Sequence, residues 1–344
     1  MFEPTLLKEP KPPWTEVPLD LKKSIESHLG SQISKAEITW GGYTPAANFK
    51  LELHDGRQVF CKGLHSGQTT VGKKAFEWEF KFFSQLKWLE RFAPKFLGHV
   101  ASEGWEVKLF EFIADRNDVP PWTHRDISQL LDRLHLLHSM DILEGNEVVR
   151  HISENGFSKN LYFGKDTWSL LKTDEDIGEL SQLFEDPKSV GDWGKTYLSQ
   201  MLEIESGFAQ LDLAESFIHV DLRSDNILFS KNSGPFIVDW PQLTIGPTVL
   251  DLAFMAPSIA AENGPLPEEI FGLYQSISER SFSNEGLLGA ATLAAGYFAS
   301  RAFQAPMKEL PRLRWIQKQQ LFPAIQWMVR LIDPGPESLF KPKA

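Results

Sequence analysis

Between Ile33 and Ile113 apolar residues recur mainly at every second position, whereas beyond Ile113 they recur every third or fourth. This change of period constrains the fold more than any other feature. A period of two places alternate side chains on opposite faces of a strand, and a period near 3.6 places them on one face of a helix. A strand-rich segment followed by a helix-rich one is an α+β arrangement. At 344 residues the chain also exceeds the size at which a single core keeps growing, so two packed units sharing a cleft are expected.

The pattern divides the chain into an extended arm over 1–18, a smaller lobe over 19–113 and a larger lobe over 114–344, with the Asp-Arg-Asn-Asp run and paired prolines after Ala114 as the boundary. In the smaller lobe a short helix over Leu19–Leu29 stops at Gly30. Strands follow over Ile33–Trp40, Asn48–Leu53 and Gln58–Gly63, the last two joined by Asp55-Gly56, a hairpin signal. A helix is expected over Lys73–Glu90, with Phe76, Phe80, Phe83 and Leu86 on one stripe. A second hairpin pairs Phe96–Val100 with Trp105–Ile113. The larger lobe reads as helices over Trp122–Ser139, Ser169–Phe184, Lys195–Leu213, Thr248–Ala260, Pro267–Glu279, Glu285–Phe303 and Leu310–Leu331. Short strands over Phe217–Val220, Ile227–Phe229 and Phe236–Val238 interrupt them.

The net charge of −11 disfavours nonspecific binding to nucleic acid. Residues 1–113 carry 15 basic and 14 acidic side chains, and residues 114–344 carry 20 and 32, so the acidic excess belongs to the larger lobe. An acidic face of this kind would suit a cationic ligand, and it equally suits a solvated surface. A single cysteine, Cys61, excludes an internal disulfide framework and fits a reducing, cytoplasmic setting. The N-terminal residues do not read as a secretory signal. The longest nearly apolar segment, the 15 residues between Glu285 and Arg301, is shorter than the roughly 20 needed to span a bilayer, so no membrane association is expected and a buried helix is.

The chemistry concentrates after Phe217. A strand leads into His219-Val220-Asp221, Asn226 follows five residues after Asp221, a hairpin turns at 231–234, and the apolar triplet Phe236-Ile237-Val238 ends in Asp239-Trp240. This H-x-D-x-x-x-x-N string followed by a hairpin and a strand-end aspartate is a kinase catalytic signature. Phosphoryl transfer to a hydroxyl needs a carboxylate that orients the hydroxyl and accepts its proton, a role for Asp221. Mg²⁺ prefers hard oxygen ligands, which Asn226 and Asp239 would supply. Arg223 would direct a permanent cation at the charge that shifts during transfer.

Residues 217–258 resemble the aminoglycoside phosphotransferase family, a branch of the protein-kinase-like fold. The continuation Gly246-Pro247-Thr248-Val249-Leu250-Asp251-Leu252 strengthens the resemblance. It implies a two-lobed fold, with a five-stranded antiparallel sheet and one helix in the N-lobe and a mainly helical C-lobe. It further implies that Asp251 ties down the catalytic loop and that His219 supports that loop's backbone. Val220 stands where many members have Gly. In the N-lobe, Lys62 resembles the strand lysine that contacts nucleotide phosphates, with Glu79 as its helix partner and Glu77 as a competitor. Gly41 and Gly42 occupy the place of the phosphate-covering loop without matching G-x-G-x-x-G. Phe112 and Ile113 resemble the hinge that pairs with adenine.

The expected activity is transfer of the γ-phosphoryl group of ATP, with Mg²⁺, to a hydroxyl of a small molecule such as an amino-sugar antibiotic, a sugar, an amino alcohol or a metabolite. The acceptor would lie over the larger lobe, where acidic residues would suit an amine. A nucleotide-binding pseudoenzyme of the same fold is the alternative, and a protein kinase is disfavoured because neither D-F-G nor A-P-E follows the triplet. His135 and His138, three apart on a helix, lack a third metal ligand and read as ordinary helix histidines.

Overall fold

The structure, a computed structural model, describes residues 11–40, 46–65, 73–142, 146–154, 167–171, 173–307 and 310–343. In chain order the first elements are α1 (Leu19–Leu29), β1 (Ile33–Ile38), β2 (Ala47–Leu53), β3 (Gln58–His65), α2 (Lys73–Gln85), β4 (Phe96–Ser102), β5 (Trp105–Glu111) and β6 (Arg116–Asn117). There follow α3 (His124–His138), α4 (Glu147–Glu154), α5 (Asp174–Ser181), α6 (Pro187–Gly207), β7 (Glu215–Ile218), β8 (Ile227–Ser230), β9 (Gly234–Ile237) and β10 (Thr244–Pro247). The chain closes with α7 (Thr248–Ala261), α8 (Pro267–Ser278), α9 (Asn284–Ala302) and α10 (Leu313–Ile332).

The chain forms two compact units. Unit 1 comprises Met1–Asn117, Asp225–Gln242 and Met307–Arg312, and unit 2 comprises Asp118–Ser224, Leu243–Pro306 and Leu313–Ala344. Neither is contiguous in sequence, because the β8–β9 hairpin belongs to unit 1.

Unit 1 holds an antiparallel sheet in the order β1-β2-β3-β5-β4. Alternation gives the sheet two different faces. Phe49, Leu51, Val59, Cys61, Val107 and Leu109 point to one side and are buried against Leu21, Ile25 and Leu29 of α1. Burial pushes the Cys61 thiol up to about 12. Phe83 of α2 meets Phe96 and Phe110 with ring centroids 5.5 and 4.9 Å apart, so α2 covers the other side. Helix α1 ends at Gly30, whose left-handed φ of 68° closes the last turn. The β4–β5 turn places Glu103 and Gly104 at φ 53° and 74°, a type I′ geometry suited to a hairpin. The β8–β9 hairpin pairs with β6.

Unit 2 is helical apart from the β7–β10 pair. Its buried centre is α7, α9 and α10. Helix α9 is rich in Ala and Gly because large neighbours press on it: a Cβ added at Gly289 would lie 2.3 Å from Phe208, and one at Gly296 would lie 2.5 Å from Trp168. The Trp168 indole donates to the Thr292 carbonyl at 2.8 Å. Among the described residues no helix is long and apolar enough to cross a membrane.

Several expected helices differ from the observed ones for local reasons. The stretch 73–90 is not one helix: Leu86 leaves helical geometry at φ −99°, ψ 78°, and Lys87–Arg91 form a separate 3₁₀ turn. The stretch 169–184 divides likewise into a 3₁₀ turn at Trp168–Leu170 and α5, which the Thr173/Asp176 capping box starts afresh. Helix α6 begins eight residues before Lys195, where Asp186 caps it and Pro187 fills the first position. Helix α4 and strands β6 and β10 are additions to the expected set.

Gly98 adopts φ 141° at a register irregularity of β4, and a Cβ there would fall 2.0 Å from the His28 ring, which bonds the Leu97 carbonyl at 3.0 Å. Gly98→Ala is expected to destabilise the protein by about 2 kcal/mol in a urea titration, whereas Gly178→Ala, with open space around its Cβ, should leave stability within about 0.5 kcal/mol.

Candidate active site

The first cluster lies in unit 1 on the α2 side of the sheet. Lys62 sits on β3 between Cys61 and Gly63, and its side chain points away from the α1 core. Its ammonium donates to Glu79 Oε2 at 3.1 Å and to Asp239 Oδ1 at 2.6 Å. Glu79 projects from the middle of α2 and is buried. It accepts two further donors: the Trp240 backbone N–H at 2.9 Å on Oε1, and the Lys108 ammonium on Oε2 in a very short bond. Glu79 is therefore the α2 acid that meets Lys62.

Burial opposes charge on each of these groups, and their neighbours decide the balance. For Lys62, burial is outweighed by Asp239 and Glu79, and its pKa rises above that of an ordinary lysine. For Glu79, burial is outweighed by Lys108 and Lys62, and the carboxyl stays below its usual range. For Lys108, burial dominates and lowers the ammonium to about 8.

The β8–β9 hairpin places Asn226 and Asp239 at its two ends, where the Val238 N–H donates to the Asn226 carbonyl at 2.9 Å. Asp239 adopts φ 65°, a turn that aims its backbone out of the strand. Trp240 behind it is buried and donates its indole N–H to the Ile237 carbonyl at 2.8 Å. Lys62, Glu79, Asn226 and Asp239 line one cleft with about 930 Å³ of space, open solvent at its mouth included. Its apolar part includes Phe60, Phe110 and Leu228, and Phe112 and Ile113 line it as well. Gly41 and Gly42 lie outside the described residues.

The second cluster lies in unit 2 and is organised by Asp251 on α7. This buried carboxylate accepts from the backbone N–H groups of His219 at 2.9 Å and Val220 at 2.5 Å. His138 Nε2 lies 3.1 Å from the same carboxylate, and its Nδ1 lies 2.7 Å from the Tyr274 hydroxyl. Val220 has φ 70°, so this chain takes at a β-branched residue the left-handed turn that glycine adopts without strain. The Asp221 N–H donates to His219 Nδ1 at 3.3 Å, and Arg223 lies 3.5 Å from the Asp221 carboxylate, which is 38% exposed. Ser224 donates to Glu262 at 2.5 Å, and the Trp122 indole donates to the other Glu262 oxygen at 2.8 Å.

Three participants in these clusters escaped the sequence reading. His138, set aside as an ordinary helix histidine, continues the buried stripe of Ile127, Leu130, Leu131, Leu134 and Leu137, and a polar residue on such a stripe signals a buried partner. Lys108 falls at a buried position in β5, and the signal is the same. Glu262 sits at the end of α7 with no sequence signal of its own.

These two groups of residues fall within the stretch that a family model recognises: residues 48–282 match the phosphotransferase enzyme family. The chain belongs to that family. The resemblance drawn from residues 217–258 is thereby borne out, and the fold agrees. This phosphotransferase is similar to a spectinomycin phosphotransferase solved with ADP and spectinomycin, at 13% identity and TM-score 0.61, with 90% of this chain and 97% of that one covered. It is also similar to a choline kinase of Streptococcus pneumoniae, at 16% identity and TM-score 0.53, covering 90% and 98%. An ethanolamine kinase of Plasmodium vivax aligns at 13% identity and TM-score 0.53, covering 85% and 81%. These solved structures share the protein-kinase-like fold. No curated protein sequence gives a significant match.

Replacing Asp251 by Asn removes one acceptor oxygen and sets an N–H donor against a backbone N–H. Asp251→Asn is expected to cost about 2–3 kcal/mol in chemical denaturation, as befits a buried donor left unpaired.

Proposed function

We propose that this phosphotransferase moves the γ-phosphoryl group of ATP to a hydroxyl of a small molecule. The observation that carries the reading is the cleft of unit 1, where a lysine cation, a carboxylate and an amide share one wall beside an apolar recess. A nucleotide presents matching parts: a flat apolar base and an anionic polyphosphate. The base would enter the recess near Phe112 and Ile113, and Lys62, held by Glu79, would meet the phosphates. Asp239 and Asn226 offer the hard oxygen donors that suit Mg²⁺, and both line the cleft. When bound, the ion would neutralise charge on the phosphate oxygens.

Asp221 would orient the acceptor hydroxyl and take its proton. Arg223, beside it, would keep the carboxylate ionised and offer a cation to developing negative charge. His219 and Asp251 would hold the loop through the backbone contacts described above. For the acceptor we favour a hydroxyl compound bearing an amine. The acidic excess beyond residue 113 supports this choice, as do the names of the choline and ethanolamine kinases with the same fold. The reaction would take place in the cytoplasm, in keeping with the single cysteine.

A coupled ATP-consumption screen over aminoglycosides, sugars and amino alcohols tests the reading. At least one amine-bearing alcohol should raise turnover, and Asp221→Asn should lower that turnover by about 10²–10⁴-fold with little change in nucleotide binding. Asp239→Asn should abolish both turnover and metal-dependent nucleotide binding. Turnover retained in both variants would refute the site; nucleotide binding without turnover on any acceptor would favour a pseudoenzyme.

A further inference from the structure

The strand register of unit 1 sets four polar residues in one row across the sheet: Asn48 opposite Lys62, Lys62 opposite Lys108, and Lys108 opposite His99. Lys62 lines the cleft. Lys108 lies behind it, 0% exposed, with its ammonium donating to the Phe76 carbonyl at 3.1 Å and to Glu79, 3.5 Å from the centroid of the Phe76 ring. Its position gives it no reach to a ligand.

The charges around Glu79 explain what it can do instead. Lys62 and Lys108 are two cations set against two carboxylates, Glu79 and Asp239, so the group is balanced. Without Lys108, one ammonium would face two carboxylates, and the cleft wall would present net negative charge to an incoming polyphosphate. A lysine is also a costly residue for a fully enclosed site. Apolar side chains of similar length could fill the space, and an ion pair out of water is weak evidence for stability in itself. Burial holds the ammonium to about 8, in keeping with that cost.

Resting on the reading that Lys62 serves nucleotide phosphates, we infer that Lys108 is a positioning residue: it neutralises the buried Glu79 carboxylate and so leaves the Lys62 charge available to an anionic ligand. Glu79 then anchors Lys62 without consuming its charge. The inference extends the pairing of Lys62 and Glu79 to a three-member relay whose third member never touches the nucleotide.

The test measures binding of a non-hydrolysable ATP analogue with Mg²⁺, and of adenosine, by titration calorimetry. Lys108→Met should weaken the analogue by about tenfold or more and adenosine by less than about twofold, because only the analogue carries phosphates. In a Glu79→Gln background the same Lys108→Met change should alter analogue affinity by less than about twofold, since no carboxylate remains to be neutralised. Equal losses for analogue and adenosine, or equal losses in both backgrounds, would overturn the inference and leave a merely structural lysine.

Should Lys108→Met fail to fold, a crystal structure of the wild-type protein with the analogue decides instead. Lys62 should exchange Asp239 for a phosphate oxygen while Lys108 stays on Glu79. Lys108 departing from Glu79, or Lys62 making no phosphate contact, would overturn it. Wild-type protein that binds neither probe would defeat the proposed nucleotide site itself, an outcome distinct from a wild-type protein that binds both while Lys108→Met behaves identically.

Discussion

A carboxylate removed from water must be met by donors, and each unit is arranged around one such group. In unit 1 it is Glu79, met by β3, β5 and the backbone after β9. In unit 2 it is Asp251, met by two consecutive backbone N–H groups after β7 and by His138 of α3. Each carboxylate fixes segments that are remote in sequence, and the residues proposed for chemistry sit on or directly beside those segments. Asp239 precedes the Trp240 N–H that Glu79 accepts, and Asp221 follows the Val220 N–H that Asp251 accepts. In both cases the buried acid holds backbone, which leaves the neighbouring carboxylate turned outward.

The left-handed residues Val220 and Asp239 belong to the same pattern. A positive φ reverses the direction of the chain within one residue, so a strand can end and present its next side chain at an angle that no extended strand reaches. Glycine would be the permissive choice at both. The chain uses valine and aspartate, and the neighbouring hydrogen bonds to Asp251 and Glu79 hold the backbone there.

Much of this was legible in the sequence because it is local. The β1–β5 meander follows from alternation and from Asp55-Gly56, α1 ends at Gly30 as its composition requires, and the string from His219 to Asp251 carries its own spacing. What the sequence reading missed is mostly tertiary. Lys108 and His138 gain their meaning from partners 29 and 113 positions away, which no periodicity reveals. Helix ends were misplaced where a cap overrode a continuous apolar stripe, as at Thr173 and Asp186. The masked glycine loop apart, the residues quoted for nucleotide binding do share one cleft, because strand register places Lys62 on the α2 face and the hairpin returns Asp239 to it.

The non-contiguous make-up of unit 1 has a consequence for synthesis. Its sheet is complete by Glu111, yet the Trp240 N–H that Glu79 accepts and the Asp239 carboxylate that Lys62 meets belong to a hairpin encoded more than a hundred residues later. A chain emerging from the ribosome N-terminus first must therefore hold an unfinished domain through most of its translation, with two lysines and one acid sharing a half-built interior. A fragment ending near residue 117 would carry the whole sheet and lack its closing hairpin. Domain-boundary truncation at the change of period would then yield an incomplete fold, and an expression strategy for this lobe would need residues 225–242 spliced back by a linker.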